Sequence, residues 1–308
     1  LRPGIKLIEK SKGIGSFMNF PGINFQDSGG FQMYSDNLYL KSNDQGVYFK
    51  NPVSGEKIFM TPEENMKLQL KLNGEVAMCL DSMPMYEDSK KNIPEAVRKT
   101  ILWAEKCKKT HDYLQIKIKK NKKQLLFAIT QGGIYGDLRE KCIREFLKLG
   151  FDGYSIGGFG LGESRKEEQK IIRLHKKLIP ENKPIYLMGI GDPVEILEAI
   201  ALGCDIFDSR MPTQNARRGT LFTSSGKLRL LNKKYEHDKS PIDKNCSCFV
   251  CKNHSRAYVR FLLRENEPTG KELASYHNLY YLQDLIRKAK KEIKKGKLKE
   301  FIKKIKKY

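Results

Sequence analysis

The sequence predicts an α/β fold in which parallel strands close into a (β/α) barrel. Short β-branched or apolar runs alternate with stretches of helical period, which is typical of a parallel sheet. Each of six such runs ends in a polar or glycine-rich cluster. Polar clusters on successive strand ends favour a closed barrel, because an open sheet concentrates its ligands at one switch point. Only six strands can be counted, whereas a complete TIM barrel has eight.

The predicted strands and helices alternate through the first 208 residues. The six strand runs are 23–26, 76–80, 125–130, 153–156, 184–188 and 205–207. The polar clusters that end them are Asp27-Ser28-Gly29-Gly30, Asp81, Gln131-Gly132-Gly133, Gly157-Gly158, Gly189-Ile190-Gly191-Asp192-Pro193 and Asp208. Helices are predicted over 62–72, 94–120, 137–149, 163–179 and 193–202. Proline suits the first turn of a helix, and three helices begin with one, at Pro62, Pro94 and Pro193.

The alternation stops after Asp208. A hairpin is predicted from Thr220 to Thr223 and from Lys227 to Leu231, around Ser225-Gly226. Helices are predicted over 255–265 and 270–295. The lysine-dense tail, 287–307, keeps its apolar residues in a helical rhythm.

Composition excludes two classes of protein. The chain contains no run of about 20 apolar residues, which excludes a membrane span, and its recurring apolar blocks exclude general disorder. Lys and Arg number 58 against 36 Asp and Glu, giving a formal net charge of +22. This balance favours a polyanionic partner. The alternative cause of the excess is a lysine-rich, AT-biased genome.

Three of the seven cysteines form a metal-binding pattern. Cys246, Cys248 and Cys251 stand as C-x-C-x-x-C in a polar stretch, where three thiols cannot all be core residues. Zinc takes four tetrahedral ligands, and the spacing leaves both His254 and His277 open as the fourth. The remaining cysteines are expected to pack in the core: Cys79, Cys107, Cys142 and Cys204.

Two of the predicted strand ends carry the carboxylates Asp27 and Asp208. Two carboxylates facing one cavity permit double displacement at an anomeric carbon, in which one attacks and the other moves protons. Asp81 and Gln131 offer an acceptor and an amide that suit the edge of a purine. Each residue alone is explained as well by a helix N-cap or a turn, but the set on successive strand ends favours a site.

Neighbouring strand ends carry residues that suit a flat ligand. Gly157-Gly158 permits close approach and exposes backbone groups. Phe31 and Met188 are apolar and can clamp a ring from its two faces.

Six motifs are spread over almost all 308 residues. They are Asp27-Ser28-Gly29-Gly30-Phe31-Gln32, Thr130-Gln131-Gly132-Gly133, Ile156-Gly157-Gly158, Tyr186-Leu187-Met188-Gly189-Ile190-Gly191, Phe207-Asp208 with Pro212-Thr213-Gln214-Asn215-Ala216-Arg217, and Cys246-x-Cys-x-x-Cys with His277-Asn278-Leu279. In kind and in order, these motifs resemble those of tRNA-guanine transglycosylase. The Pro-Thr-x-Asn-Ala-Arg stretch resembles the bacterial and eukaryotic type rather than the archaeosine type.

The resemblance implies a pentosyltransferase of queuosine biosynthesis. Such an enzyme exchanges the wobble guanine of tRNAs with a GUN anticodon (those for aspartate, asparagine, histidine and tyrosine) for 7-aminomethyl-7-deazaguanine, with retained configuration. By this similarity, Asp208 is the nucleophile on ribose C1′ and Asp27 is the general acid/base. The implied base contacts are Asp81, Gln131 and the backbone of Gly158, with Phe31 and Met188 stacked on the base and with the carbonyl of Phe159 and Glu163 near the 7-substituent.

The resemblance also implies the metal centre and the domains. The zinc is structural, one per chain, and its ligands are Cys246, Cys248, Cys251 and His277. The fold is a (β/α)8 TIM barrel with an inserted or C-terminal zinc-binding subdomain. We expect the catalytic barrel portion over 1–218, the zinc-binding subdomain over 219–280, and a lysine-rich C-terminal helix over 281–308 that packs on the barrel.

The implied RNA partner is the tRNA anticodon stem-loop. Arg217 matches a residue that reads the anticodon, while Gln214 stands where bacterial members usually carry Arg. Leu161 is bulky, which disfavours the large base queuine and favours 7-aminomethyl-7-deazaguanine. The tail 287–307 is either a solvated helix face or a contact with the tRNA backbone. A cytoplasmic homodimer is the expected form.

The sequence predicts six barrel strands, two fewer than the eight of a complete TIM barrel. Family members carry roughly 70–80 further residues before the segment that begins at Leu1, so we expect an N-terminally truncated record. Three alternatives for the function stay open: a non-catalytic tRNA-binding subunit, a queuine-directed enzyme, and a transglycosylase that inserts deazapurines into DNA. The presence of both Asp27 and Asp208 favours an enzyme over the subunit.

Overall fold

A computed structural model describes residues 3–35, 37–83, 92–119, 123–159 and 162–306. The chain forms two compact units. The first consists of Leu1–Met188 with Cys204–Ile206, and the second of Gly189–Gly203 with Phe207–Tyr308. The division into 1–218, 219–280 and 281–308 stays a prediction.

Six parallel strands form the main sheet of the described chain, in the order β1-β5-β6-β7-β8-β9. They are β1 (Phe25–Gln26), β5 (Val76–Met78), β6 (Leu125–Thr130), β7 (Gly153–Ile156), β8 (Ile185–Leu187) and β9 (Ile206–Phe207). Each lies within a predicted run, and each is followed by a helix or by the loop that leads to one. The α/β class predicted from the sequence is therefore confirmed.

The parallel strands are buried on both faces. All residues of β5, β7 and β8 are buried, as parallel sheets covered by helices require. Alternate residues from three strands meet in one apolar cluster: Val76, Met78, Phe127, Ile129 and Tyr186. Met188 and Ile206 pack against its edge. This packing brings the C-terminal ends of the strands close together.

The helices that follow the strands begin within two residues of their predicted starts. They are α4 (Pro62–Leu72), α5 (Ile93–Leu114), α6 (Gly136–Leu149), α7 (Arg165–Leu178) and α8 (Pro193–Ala201). Thr61 caps α4, and the Ser164 side chain caps α7 reciprocally with Glu167. Asp192 caps α8 by accepting from the amides of Val194 and Glu195.

Helix α5 is shorter than the predicted 94–120. It ends at Leu114, and Gln115 follows as its C-cap. The Gln115 side chain then accepts from the backbone N–H of Gln124 at 2.7 Å and donates to the Gln124 carbonyl at 3.2 Å. These bonds tie the end of the helix to the residue that precedes β6.

The sequence did not predict the elements near the N-terminus. The short helices α1 (Ile5–Lys10), α2 (Ile14–Met18) and α3 (Gly30–Met33) lie before and after β1. An antiparallel sheet then follows, made of β2 (Tyr39–Asn43), β3 (Gly46–Lys50) and β4 (Lys57–Met60). Its strands are short and half exposed, so they carry little apolar periodicity.

The second unit contains α8 and the elements after β9. They are α9 (Met211–Arg217), β10 (Thr220–Thr223), β11 (Gly226–Arg229), α10 (Phe249–Asn253), α11 (Arg256–Arg264), α12 (Pro268–Lys294) and α13 (Leu298–Lys306). The hairpin is the predicted one, with Thr223 opposite Gly226. Helix α13 packs on α8, where Lys306 pairs with Glu198. No helix in the described ranges is long and apolar enough to cross a membrane.

Candidate functional site

A buried carboxylate and a buried amide meet at the ends of two neighbouring strands. Asp81 follows β5 and Gln131 follows β6, and the Gln131 Nε2 donates to Asp81 Oδ2 at 2.6 Å. Asp81 is 5% exposed and Gln131 is 1% exposed. Burial raises the pKa of Asp81 to about 7, and the nearby charge of Asp27 adds to the rise, while the bond from Gln131 opposes it. The buried carboxyl of Asp81 therefore changes its protonation state close to neutral pH, with Oδ2 accepting from Gln131.

The other polar atom of Gln131 has no hydrogen-bond partner within the described chain. Its Oε1 is buried, and a Cβ on Gly158 would lie 2.9 Å from it. Gly158 has φ +72°, which a side chain rarely adopts. A Cβ on Gly157 would lie 2.8 Å from Gln131 Nε2. Because buried polar atoms are normally paired, this acceptor is suited to a ligand donor.

Asp27 lies beside this pair at the end of β1. Its charge is close enough to raise the pKa of Asp81, so both carboxylates border one region of the first unit. Helix α4 fixes the residues that follow β1, because Asn65 Nδ2 donates to the carbonyl of Ser28 at 2.7 Å. Gln69 Nε2 in turn donates to Asn65 Oδ1 at 2.6 Å, and Gln69 bonds both backbone groups of Met78. Helix α4 thereby holds the ends of β1 and β5 together.

Arg139 is a buried cation that the sequence reasoning missed. It is 0% exposed, and its guanidinium donates to the carbonyls of Gly133 at 2.8 Å, Thr130 at 2.6 Å and Gly157 at 2.7 Å. Burial lowers the pKa of Arg139 to about 10. The guanidinium therefore joins the loop that carries Gln131 to the loop that carries Gly158.

The signal that could have revealed Arg139 is its position on α6. It shares the buried face of that helix with Cys142, Ile143 and Phe146, where a charged residue requires partners. Its guanidinium carbon also lies 4.9 Å from the ring centroid of Phe159. The buried ring of Phe159 thus packs against the guanidinium of Arg139.

The other predicted base contacts of the first unit are found in more exposed positions. Phe31, in α3, is 49% exposed. Met188 is half-buried, and its amide donates to the carbonyl of Ile156 at 3.4 Å. Glu163 is half-buried, and its charge acts on Arg139. Leu161, on which the preference against queuine depends, lies outside the described residues.

Asp208 and the predicted tRNA contacts lie in the second unit. Asp208 is exposed, and its Oδ1 accepts from the backbone N–H of Gly189 at 3.1 Å. Gln214 is half-buried on α9, and Arg217 is exposed in its last turn. Asn278 anchors this helix, because its Nδ2 donates to the carbonyl of Pro212 at 2.9 Å.

Four metal-binding side chains converge in the second unit: Cys246, Cys248, Cys251 and His277. Their ligand atoms all lie within 4.8 Å of one another. The distances from the three Sγ atoms to His277 Nδ1 are 3.9, 3.5 and 3.3 Å. Tetrahedral zinc, with bonds of about 2.3 Å to sulfur and 2.0–2.1 Å to nitrogen, requires about 3.6 Å between them. The donor set therefore fits one structural zinc ion.

The structure resolves the fourth ligand in favour of His277. Its Nε2 lies 2.8 Å from the carbonyl of Phe222, which fixes Nε2 as the donor and leaves Nδ1 free to bind metal. His254 instead packs its ring between Phe249 and Tyr258, with centroids 5.7 and 5.4 Å away. The other four cysteines are buried, as predicted.

The predicted site residues thus form two groups. In the first unit, the exposed Asp27 lies near the buried Asp81 and Gln131, and Gly158 and Phe159 lie on the neighbouring strand end. The second unit carries Asp208 after β9, Gln214 and Arg217 on α9, and the zinc ligands.

Comparison with known proteins gives a consistent result. The family model described as queuine tRNA-ribosyltransferase matches residues 1–308. Among curated proteins, the queuine tRNA-ribosyltransferase of Halothermothrix orenii is 40% identical over 98% of this chain and 79% of its own length. Those of Thermoanaerobacter sp. strain X514 and Nitrosospira multiformis are 42% and 40% identical, over 98% of this chain and 78% and 80% of their own lengths.

Proposed function

The chain belongs to the queuine tRNA-ribosyltransferase family, and on this premise we propose that it is a tRNA-guanine transglycosylase of queuosine synthesis. As a pentosyltransferase, it exchanges a guanine of tRNA for a 7-deazaguanine. The fold supports this assignment, since the family is built on a TIM barrel and the described strands form an α/β sheet of that kind. The proposed target is the wobble guanine of tRNAs with a GUN anticodon.

The proposed reaction is a double displacement at ribose C1′. An Oδ of Asp208 attacks C1′ and the bond to guanine N9 breaks, while the leaving base takes up a proton from Asp27. The incoming 7-deazaguanine then gives its N9 proton to Asp27, and N9 attacks C1′ and expels Asp208. Two inversions retain the configuration, and Asp27 regains its proton. The bond from the Gly189 amide orients the Asp208 carboxylate.

The observation that carries this proposal is the Asp81–Gln131 pair with its unpartnered Gln131 Oε1. The edge of a guanine offers N–H donors beside a carbonyl acceptor. Asp81 and Gln131 Oε1 supply acceptors, and the backbone N–H of Gly158 supplies a donor at the same edge. Phe31 and Met188 supply apolar surfaces that suit the two faces of the ring.

The proposed incoming base is 7-aminomethyl-7-deazaguanine. Its aminomethyl group is cationic, which suits the carboxylate of Glu163 and the carbonyl of Phe159. Competition between this base and queuine for incorporation into one tRNA tests the choice. Preferential incorporation of queuine would contradict it.

The decisive test of the reaction is covalent trapping of RNA. Wild-type protein, incubated with an anticodon stem-loop and an incoming base analogue, should form a complex that survives denaturing electrophoresis. Asp208→Asn should abolish this complex and the exchange of labelled guanine. Asp205→Asn is the matched control. Among the described residues, the Asp205 side chain accepts from the amide of Ile185, and Asn retains that acceptor.

The outcomes separate the alternatives for the function. A trapped complex with Asp208→Asn would reassign the nucleophile. Tight binding of tRNA without exchange by the wild type would instead indicate a non-catalytic subunit, and exchange into DNA alone would indicate a DNA-directed enzyme. Labelled guanine offered with tRNA and with DNA in parallel distinguishes these cases.

The metal and the partners complete the proposal. Zinc, held by the three cysteines and His277, stabilises the second unit and takes no part in the reaction. Arg217 and Gln214 contact the bases beside the target guanine, as polar groups do on single-stranded loops. A cytoplasmic homodimer is the proposed form, and light scattering coupled to gel filtration measures its mass.

A further inference from the structure

One face of the antiparallel sheet β2–β4 carries lysine and aromatic side chains, and no carboxylate of the described residues pairs with its lysines. On β3, Val47 and Phe49 are buried, 0% and 7% exposed, so the alternate residues Tyr48 and Lys50 lie on the other face. The register places Lys41 and Phe59 beside Tyr48, and Lys57 beside Lys50. We call these five residues, Lys41, Tyr48, Lys50, Lys57 and Phe59, the Tyr48 face.

Two aromatic rings form the centre of the Tyr48 face. The rings of Tyr48 and Phe59 are stacked with centroids 4.1 Å apart and an interplanar angle of 21°. The Nζ atoms of Lys41 and Lys57 lie 5.3 and 4.7 Å from the Tyr48 centroid. Two ammonium groups are therefore held against one half-buried aromatic ring at the surface.

The cations of this face are not neutralised. Within the described residues, none of Lys41, Lys50 and Lys57 forms an ion pair with a carboxylate. The acidic residue of the nearby turn, Asp44, is instead paired with Arg98 on α5. Three unpaired lysines around an aromatic pair complement a phosphate backbone whose bases or sugars pack on the rings.

We propose that the Tyr48 face binds the backbone of the substrate tRNA, as a second contact apart from the base pocket. This inference rests on the proposed function for the identity of the RNA. The chain connects the two places directly, because α3, which carries Phe31, ends at Met33 and β2 begins at Tyr39. Helix α3 also packs on β3, and the ring of Tyr34 stacks on Tyr39 with centroids 4.8 Å apart. The face is thus part of the body that holds the Asp27–Phe31 segment.

The test compares two triple substitutions of equal charge change. The face variant carries Lys41→Gln, Lys50→Gln and Lys57→Gln. The control variant carries Lys141→Gln, Lys170→Gln and Lys177→Gln, which are exposed lysines on α6 and α7. All six positions are surface lysines, so both variants should fold, and their thermal unfolding is measured alongside.

Binding of full-length tRNA is measured by fluorescence anisotropy between 50 and 200 mM salt. Three lost phosphate contacts reduce the slope of log K against log salt by about 2 to 3. We therefore expect the dissociation constant of the face variant to rise about 15- to 60-fold at 50 mM salt and to approach the wild-type value at 200 mM, because the slope change acts over a fourfold range of salt. The control variant should keep the wild-type slope, and Lys→Arg at the three face positions should restore it.

The outcomes separate this inference from the proposed function. Equal losses in the face and control variants would show a general effect of charge, and a wild-type slope in the face variant would overturn the inference as well. Exchange of guanine by the wild type is measured on the same samples. If the wild type exchanges guanine while the face variant binds as the wild type does, this inference alone fails. If the wild type binds tRNA through the face without exchange, only the proposed activity fails.

Discussion

The polar cluster around Gln131 in the first unit and the cluster of three cysteines and His277 in the second are both buried, but their polar atoms are satisfied differently. In the cysteine–histidine cluster, the four ligand atoms lie within 4.8 Å of one another, and Nε2 of His277 donates to the carbonyl of Phe222. Around Gln131, one acceptor stays without a partner in the described chain, and the Asp81 carboxyl has a pKa raised to about 7. The donor set of the first cluster fits a metal ion, and the unpartnered acceptor of the second is available to a ligand.

The largest expected effect comes from opening the closed cluster. His277→Ala removes one of four zinc ligands, and structural zinc contributes on the order of 10 kcal/mol to folding. We expect the purified variant to lose bound zinc and its second unit to become sensitive to protease. Metal analysis and limited proteolysis measure both effects.

The matched control is His254→Ala. This residue lies in the same region but packs on Phe249 and Tyr258, so its variant should keep one zinc per chain. Retention of zinc by the His277 variant, or its loss from the His254 variant, would refute the assignment of the fourth ligand.

The next largest effect concerns the cluster around Gln131, whose loops are held by the buried guanidinium of Arg139. Arg139→Met leaves the carbonyls of Thr130, Gly133 and Gly157 without their donor, and we expect a loss of about 3–5 kcal/mol of unfolding free energy. Arg139→Lys, which keeps the charge but not the fork of donors, should fall between. Urea unfolding measures the free energy, and exchange kinetics report the state of the pocket.

The control for this prediction is Arg144→Met on the same helix. Arg144 is exposed, and its one ion pair within the described ranges is with Glu140, so its replacement should change stability by less than about 1 kcal/mol. Equal stability of the Arg139 and Arg144 variants would show that the buried guanidinium does not support the two loops.

The smallest of the three effects depends on pH and concerns Asp81. A carboxyl whose pKa rises on folding stays protonated between its unfolded pKa and about 7, so the stability of the wild type falls as pH rises through this window. Asp81→Asn removes that loss. We expect the variant to be more stable than the wild type at pH 8, by up to about 4 kcal/mol, and close to it at pH 4.

The same substitution should abolish exchange of guanine, because the amide cannot accept in both of the positions that a carboxylate does. Urea unfolding at pH 4, 6 and 8 measures the stability difference. If the difference in unfolding free energy between the variant and the wild type does not change with pH, burial does not raise the pKa of Asp81. If the Asp81→Asn variant is stable and still exchanges guanine, Asp81 does not bind the base.

The elements that were predicted correctly from the sequence are those that a short stretch of residues specifies by itself. All six parallel strands were predicted because their apolar runs are continuous and end in polar or glycine-rich clusters. Helices α4 and α8 were predicted because Pro62 and Pro193 suit the first turn of a helix. The zinc ligands on the C-x-C-x-x-C run are local too. The fourth ligand was left open by spacing, since His277 joins the cysteines only through the fold of α12.

Other features depend on contacts that no local pattern encodes. In the sequence, Arg139 resembles the other charged residues of α6, because its carbonyl partners Thr130, Gly133 and Gly157 lie outside that helix. The sheet β2–β4 was missed because its residues on one face are lysines and half-buried aromatics. The predicted roles of Asp27 and Asp208 come from the family resemblance, and they stay predictions until the exchange and trapping experiments are done.

The two adjacent residues His277 and Asn278 hold both backbone groups of Phe222. His277 donates to its carbonyl, and Asn278 accepts from its amide at 2.9 Å while donating to the carbonyls of Thr220 and Pro212. The side chain that binds the metal and the side chain that anchors α9 are therefore neighbours on one helical turn. Zinc occupancy and the position of Arg217 become thermodynamically linked. A shortage of zinc is then expected to displace α9 and with it Arg217, the residue proposed to read the anticodon, so the supply of metal would also limit the selection of the RNA substrate.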